Sequence, residues 1–299
     1  MNARNSTIIK VSLALTSLAM CGAFALLAGS CANGDTGAGG NGGSSGKGGS
    51  SGGSGGGQGG TSGTSTGPGP CTVSASDTTI SDMEEKTDTG ASFFQSGCMV
   101  GSWSAAGDGS GTLSPAQGSA FTYDCGTGDA HGGNCCAKVT ATNFQVNTSS
   151  TSYTNWGWEE GLGLDSPSTT QAYGTNASAK NGITFWAKGD SARSVVVELG
   201  TVCTIPSTRP GGACVATASL QCDIGFASTI NVTTSWQQFN IAWASFAQPT
   251  WSGYTICTDK QNAIVTINFK NDSANSGTSS WAATGQLNGS IYVDDLAFM

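Results

Sequence analysis

Between Cys71 and Met299 no stretch of a dozen residues carries a 3.6-residue apolar period free of glycine and β-branched clusters. Short β-forming runs recur instead, cut by Gly, Ser, Asn and Pro, and this pattern argues against a helical core. The runs fall at 78–84, 101–105, 120–123, 136–142, 157–164, 182–187, 194–199, 236–243, 264–269 and 290–298. About ten short strands without a helix predict an all-β fold, a β-sandwich of two packed sheets. Runs such as Ser194-Val-Val-Val-Glu-Leu199 are apolar at most positions, as expected of strands central to such a pair.

The final run, Ser290-Ile-Tyr-Val-Asp-Asp-Leu-Ala-Phe298, poses a problem of its own. At period two, Ile291, Val293, Asp295 and Ala297 share one face, and Tyr292, Asp294, Leu296 and Phe298 share the other. Each face then carries one carboxylate among apolar neighbours. A buried carboxylate without a partner costs several kcal/mol, so at least one of the two needs a cation or a set of hydrogen-bond donors.

The amino-terminal part reads as an address. Arg4 and Lys10 precede an apolar run ending in Leu26-Leu27-Ala28-Gly29-Ser30-Cys31, the pattern of a signal peptide. Small residues before a cysteine resemble a bacterial lipoprotein signal, with Cys31 as the lipidated residue, although Ala28 stands where Leu is usual. Residues 31–70 then form a tether, Gly/Ser/Thr-rich from Gly34 to Gly69, that cannot bury apolar area. Its typical reach is about 35 Å. The expected organisation is a lipoprotein signal at 1–30, the lipidated cysteine and linker at 31–70, and one β-sandwich domain at 71–299. The expected location is the bacterial cell envelope, as an outer-membrane or cell-surface lipoprotein in contact with the membrane only through the lipid anchor, with plain secretion as the alternative.

The net charge is −8, and beyond Arg4 the chain has only Arg193 and Arg209 as arginines. Such a surface disfavours nucleic acid, anionic lipid and uronate polymers as partners and leaves neutral ligands and cations. Nine of the eleven cysteines follow the linker: Cys71, Cys98, Cys125, Cys135, Cys136, Cys203, Cys214, Cys222 and Cys257. An oxidising compartment predicts up to four disulfides with one thiol over. Cys214 and Cys222 form the best single pair because they staple a short loop, and the adjacent Cys135 and Cys136 are expected to reach different partners. Zinc is disfavoured, since no Cys-x-x-Cys occurs and His131 is the only histidine.

Several blocks carry a family resemblance. They are Ile80-Ser-Asp-Met-Glu84, Gly182-Ile-Thr-Phe-Trp-Ala-Lys-Gly189, Cys214 to Cys222-Asp-Ile-Gly-Phe226, Thr233-Thr-Ser-Trp-Gln-Gln-Phe239, Trp243-Ala-Ser-Phe-Ala-Gln248 and Ile291-Tyr-Val-Asp-Asp-Leu-Ala-Phe298. In this order they resemble the galactose-binding-like jelly rolls of carbohydrate-binding modules, nearest to family 11. The resemblance implies a jelly-roll sandwich whose first and last strands lie close together, commonly with a structural calcium ion. The matching residues are Glu84 in the first block and Asp294 or Asp295 in the last, and calcium's preference for six to eight oxygens fits acidic, histidine-poor strands.

A glycan site needs aromatic faces that stack on sugar rings and polar groups that bond hydroxyls. Trp186 and Trp236 lie in strand-like blocks and are assigned to the core. Trp251 and Tyr254 in a Pro-Thr-Trp-Ser-Gly-Tyr loop, Trp281 in a Ser/Thr/Ala-rich loop, and Trp156, Trp158 and Glu159 in Asn-Trp-Gly-Trp-Glu-Glu are the expected ligand-binding residues. The expected function is non-catalytic binding of a neutral, β-glucan-like polysaccharide by a monomer. The alternatives are an adhesin or matrix protein that binds protein or cell-surface partners, and a glycan-degrading enzyme. Hydrolysis would need two carboxylates about 5–10 Å apart, for which Glu159, Glu160, Asp165 and Glu198 are available. A serine triad would have to use His131, without a Gly-x-Ser-x-Gly elbow.

Overall fold

The computed structural model describes residues 71–84, 93–126, 128–144, 157–164, 174–209, 211–217, 220–248, 253, 255–272 and 287–299. The expectations for the signal segment, Cys31 and the linker lie outside the described residues. So do Trp156, Trp251, Tyr254 and Trp281.

The described residues form β1 (Thr79–Ser81), β2 (Phe93–Ser96), β3 (Met99–Gly107), β4 (Thr112–Ser114), β5 (Asp124–Cys125), β6 (Cys135–Thr142) and β7 (Gly157–Gly163). They continue with β8 (Gly182–Gly189), β9 (Arg193–Thr201), β10 (Phe226–Val232), β11 (Gln237–Ala242), β12 (Ile264–Asp272) and β13 (Gly289–Phe298). Two single 3-10 turns are the only helical elements among them. The strands make two antiparallel sheets, so the protein is an all-β sandwich of the jelly-roll kind. One sheet has seven strands in the order β11-β8-β13-β6-β4, with β1 on β13 and β5 on β6. The other has six, in the order β10-β9-β12-β7-β3-β2.

Every strand expected from the sequence is present except 120–123, which is irregular chain leading into β5. Strand β10 was not expected, because Ala227-Ser-Thr-Ile-Asn hides its inward apolar residues, Phe226, Ile230 and Val232, among polar ones.

The core lies between the sheets. Ala137, Val139, Ile183, Phe185, Ile291, Val293 and Leu296 meet Trp158, Leu162, Val197, Leu199, Ile267 and Phe269, all buried. The rings of Phe185 and Phe269 meet edge to face across the interface at 5.0 Å. Trp158 is fully buried, and its Nε1–H donates to the Leu287 carbonyl at 2.6 Å. Four disulfides join Cys71–Cys98, Cys125–Cys135, Cys203–Cys257 and Cys214–Cys222, and Cys136 is the free thiol. The Cys214–Cys222 staple is as expected. Cys136 finds no sulfur because the β5–β6 register sets Cys125 opposite Cys135 and Asp124 opposite Cys136. Burial, then Asp294 and Asp124, pushes its thiol up to about 12, so it stays protonated.

Strand β13 departs from simple alternation. Its register against β8 slips between Asp294 and Ala297, and Asp295 adopts a left-handed φ of 50°. The extra residue is a β-bulge. It turns Leu296 and Phe298 inward on the same side as Ile291 and Val293, all four being buried. The expectation of one carboxylate per face is therefore corrected. The bulge frees both aspartates from the core, and the next strand-length resumes its inward packing.

One carboxyl does face the core. Glu160, on the inner face of β7, is fully buried, and neither carboxylate oxygen meets a donor in hydrogen-bonding geometry. Burial holds its pKa well above the usual value of 4.5, with the Val139 N–H pulling the other way. The folded state thus keeps a proton that the unfolded chain releases. The stability this proton provides is complete below about pH 4.5 and is lost as pH rises through the folded-state value. Glu160→Gln, an amide of the same shape, should raise the melting temperature by several degrees near pH 8 while changing it little near pH 4. An unchanged pH slope of the melting temperature in the variant would contradict the assignment.

Candidate functional site

Each sheet has one face on the core and one face outward, and the two outward faces differ. On the seven-stranded sheet, alternation places Trp186 and Lys188 of β8, Tyr292 of β13 and Lys138 of β6 outward, with Trp236 just before β11. Trp186 and Trp236 are half-buried on this outer face, which corrects their assignment to the core; the inward positions of β8 are Phe185 and Ala187. Lys188 Nζ lies between the rings of Trp236 and Tyr292, at 5.0 and 4.6 Å, and Lys138 lies 4.9 Å from the Tyr292 ring.

The segment between β5 and β6 crosses this ladder. Asp129 pairs with Lys188 at 3.2 Å and Lys138 at 3.4 Å, and its carbonyl accepts the Trp236 Nε1–H at 3.0 Å. Burial alone would raise the Asp129 carboxyl, but the two ammonium groups outweigh it and hold it below its ordinary value. The His131 ring stacks on Trp186 at 3.6 Å. The segment covers part of this face, leaving Trp186 and Trp236 half-buried and Gln238 and Asn240 exposed.

The outer face of the six-stranded sheet is polar, and the charged side chains at its centre are mostly buried, Glu159, Lys270 and Glu198 being 21%, 16% and 13% exposed. Cross-strand pairing sets Ser104, Gly161, Asn268, Glu198 and Ala227 in one row over β3, β7, β12, β9 and β10. A second row runs Ala106, Glu159, Lys270, Val196 and Thr229. Lys270 Nζ joins the rows, 2.7 Å from Glu198 and 3.4 Å from Glu159. Burial, and then the Glu198 charge against the pull of Lys270, raises the Glu159 carboxyl. Gly161 is required here, because a Cβ would come within 2.3 Å of Asn268 Oδ1. The glycine lets the amide lie flat across the strand.

A disulfide-stapled loop, residues 202–225, walls one side. Ile205 packs over Gly200, Gly225 makes room for the Glu198 side chain, and the loop's Arg209–Asp223 ion pair adds to the charges around Lys270 and Glu198. Cys203–Cys257 and Cys214–Cys222 hold this wall. Cys203, Cys257 and Asp259 converge, but both sulfurs are spent in the disulfide and the carboxylate accepts Thr201 Oγ1–H and the Cys203 N–H.

Of the residues expected to bind ligand, Glu159 lies on the outer face of the six-stranded sheet, 21% exposed. Trp158 does not, because strand alternation turns it inward whenever Glu159 points out, so it is a core residue rather than a platform. Asn268 and Lys270 were not expected. Their signal is the polar residue at every second place in Ile264-Val-Thr-Ile-Asn-Phe-Lys-Asn271, where the inward Ile267 and Phe269 are fully buried.

The residues expected to hold calcium come to one place but already have donors. Glu84 Oε1 accepts the N–H groups of Asn134 and Cys135 at 2.7 and 2.8 Å. Asp294 Oδ2 accepts the His131 N–H at 2.7 Å, and Asp295 Oδ2 is 3.1 Å from His131 Nδ1. Burial, with Asp295 adding to it against the His131 N–H, moves the Asp294 carboxyl up to about 6. Among the described residues these three carboxylates do not bring oxygens within 4.8 Å of one another.

No protein-family model matches the chain, and no curated protein matches it. Among solved structures, it is similar to a family 11 carbohydrate-binding module from Clostridium thermocellum in complex with a β-1,3-1,4-mixed-linked tetrasaccharide. The identity is 13%, with 75% of this chain and 95% of that one covered, at a TM-score of 0.40. It is also similar to the module described as CtCBM11, at 13% identity, 74% and 93% coverage and a TM-score of 0.41. A family 30 carbohydrate-binding module follows at 14% identity, 60% and 73% coverage and a TM-score of 0.34. At these values the likeness carries no argument about ligand or mechanism.

Lys270 holds two carboxylates that would otherwise repel. Lys270→Met should therefore cost roughly 1–3 kcal/mol near pH 7, as expected for leaving a buried polar group without its partner. Near pH 4, where the carboxyls take up protons, the loss should shrink. Chemical denaturation at the two pH values measures the difference, and equal losses at both would count against the charge cluster.

Proposed function

We propose that this chain is a non-catalytic, surface-anchored lipoprotein that binds a neutral, β-glucan-like polysaccharide on the outer face of the six-stranded sheet. The observation that carries the reading is the outward-facing, partly exposed Glu159–Lys270–Glu198 cluster with Asn268 beside it, set among serine, glycine and alanine. Carboxylates and an amide accept and donate to sugar hydroxyls, and the ammonium both orients the acceptors and donates in turn. Small residues at both ends of the rows leave room for an extended ligand. From β3 to β10 the rows span four strand spacings, about 19 Å, which suits an oligosaccharide lying across the strands.

Anchoring at Cys31 and a tether of about 35 Å reach would present this face beyond the envelope surface. The charge balance supports a neutral ligand, since the carboxylates Glu159, Glu198 and Asp223 face only Lys270 and Arg209 in this group. A uronate would meet repulsion there. Lys270 also supports binding over hydrolysis. It ties both carboxylates to one ammonium, whereas a glycosidase needs one free to donate a proton and the other free to attack or activate water.

Affinity electrophoresis in gels containing mixed-linkage β-glucan tests the reading. The full chain should be retarded, and Glu159→Ala, Glu198→Ala and Asn268→Ala should each reduce the retardation, with melting curves confirming the fold. Wild-type-like retardation of all three variants would remove this face from the site. Binding to intact cells but to no glycan would favour the adhesin, and release of reducing sugar would favour an enzyme.

A further inference from the structure

The segment that covers the seven-stranded sheet also ties the two ends of the domain together, and it does so with N–H groups. Its ends are fixed by the Cys125–Cys135 disulfide and by β6. From it, the Asn134 and Cys135 N–H groups donate to Glu84, which follows β1. The His131 N–H donates to Asp294 and the imidazole Nδ1 meets Asp295, both in β13. The remaining Asp294 oxygen, Oδ1, accepts the Asp295 N–H that the bulge turns toward it, at 2.9 Å.

A calcium ion at this place would need six to eight oxygens around one point. The strap presents hydrogens instead, and each backbone N–H aimed at a carboxylate oxygen takes one of the lone pairs an ion would draw on. Two of them converge on Glu84 Oε1. The fit is close on the strap side as well. A Cβ at Gly133 would stand 2.1 Å from Glu84 Oε1, and one at Gly132 would stand 3.3 Å from Asp295 Oδ2. The Gly132-Gly133 pair thus lets bare backbone approach both carboxylates. Stacking of His131 on Trp186 and the hold of Asp129 on Lys138, Lys188 and Trp236 fix the segment in register over them.

We infer that the 128–135 strap takes the place of a metal ion in joining the first and last strands, so that the domain closes through peptide donors and is independent of calcium. The glycines make the tie specific, because any side chain at 133 displaces the Glu84 carboxylate from its two donors while the backbone there stays in an ordinary conformation.

Native mass spectrometry and thermal melts of the full chain test this. The wild-type protein should carry no bound metal, and its melting temperature should be the same in EDTA and in excess calcium. Gly133→Ala and Glu84→Gln should each lower it by roughly 3–8 °C, to the same extent in both buffers. A stoichiometric calcium ion, or a melt that falls in EDTA and recovers with calcium, would overturn the inference. Wild-type melting of both variants would overturn it as well, by showing that the strap ties nothing. Neither result bears on glycan binding at the opposite sheet.

Discussion

A strand has two faces, and in a two-sheet sandwich only one of them can be spent on the core. Everything distinctive in this protein follows from how the other face is used. The seven-stranded sheet carries aromatics outward, which would be costly bare. The strap from Asp124 to Cys135 covers them, with a ladder of Trp236, Lys188, Tyr292 and Lys138 beneath it. The six-stranded sheet carries serine, glycine, alanine and a lysine-centred pair of carboxylates that are only partly exposed.

The same division explains the charges. Glu84, Asp294 and Asp295 cluster where the first and last strands meet, held by backbone N–H groups and the His131 ring, while Glu159 and Glu198 share one ammonium on the outer face of the other sheet. Glu160 belongs to neither group. It faces the core one residue from Glu159, burial raises its pKa, and it makes the fold sensitive to rising pH. Two adjacent glutamates thus have opposite roles because alternate residues point to opposite faces.

Much of the fold was legible in the sequence because it rests on period-two patterning and on spacing. The strands 136–142, 182–187, 264–269 and 290–298 could be read from β-forming residues, and Cys214–Cys222 from the short loop it closes. The failures trace to departures from simple alternation. Nothing in Asp294-Asp295 announces the bulge that lets four apolar residues of β13 face the same way. Trp186 looks like core by type, and only the neighbouring Phe185 and Ala187, both buried, fix it outward. Among the residues expected to bind ligand, Glu159 faces outward and Trp158 was misread, since the two cannot face the same way on one strand. Lys270 and Asn268 escaped notice because their importance comes from strands β7 and β9, which pairing brings beside them.

The central claim is that the outer face of the six-stranded sheet is where ligand binds. A two-dimensional NMR titration of the labelled protein with a soluble mixed-linkage β-glucan oligosaccharide tests it most directly. The account predicts shifts at the amides of Gly161, Glu198, Asn268 and Lys270, with those of His131, Lys188 and Tyr292 unmoved. Shifts confined to the strap and the seven-stranded sheet would contradict it.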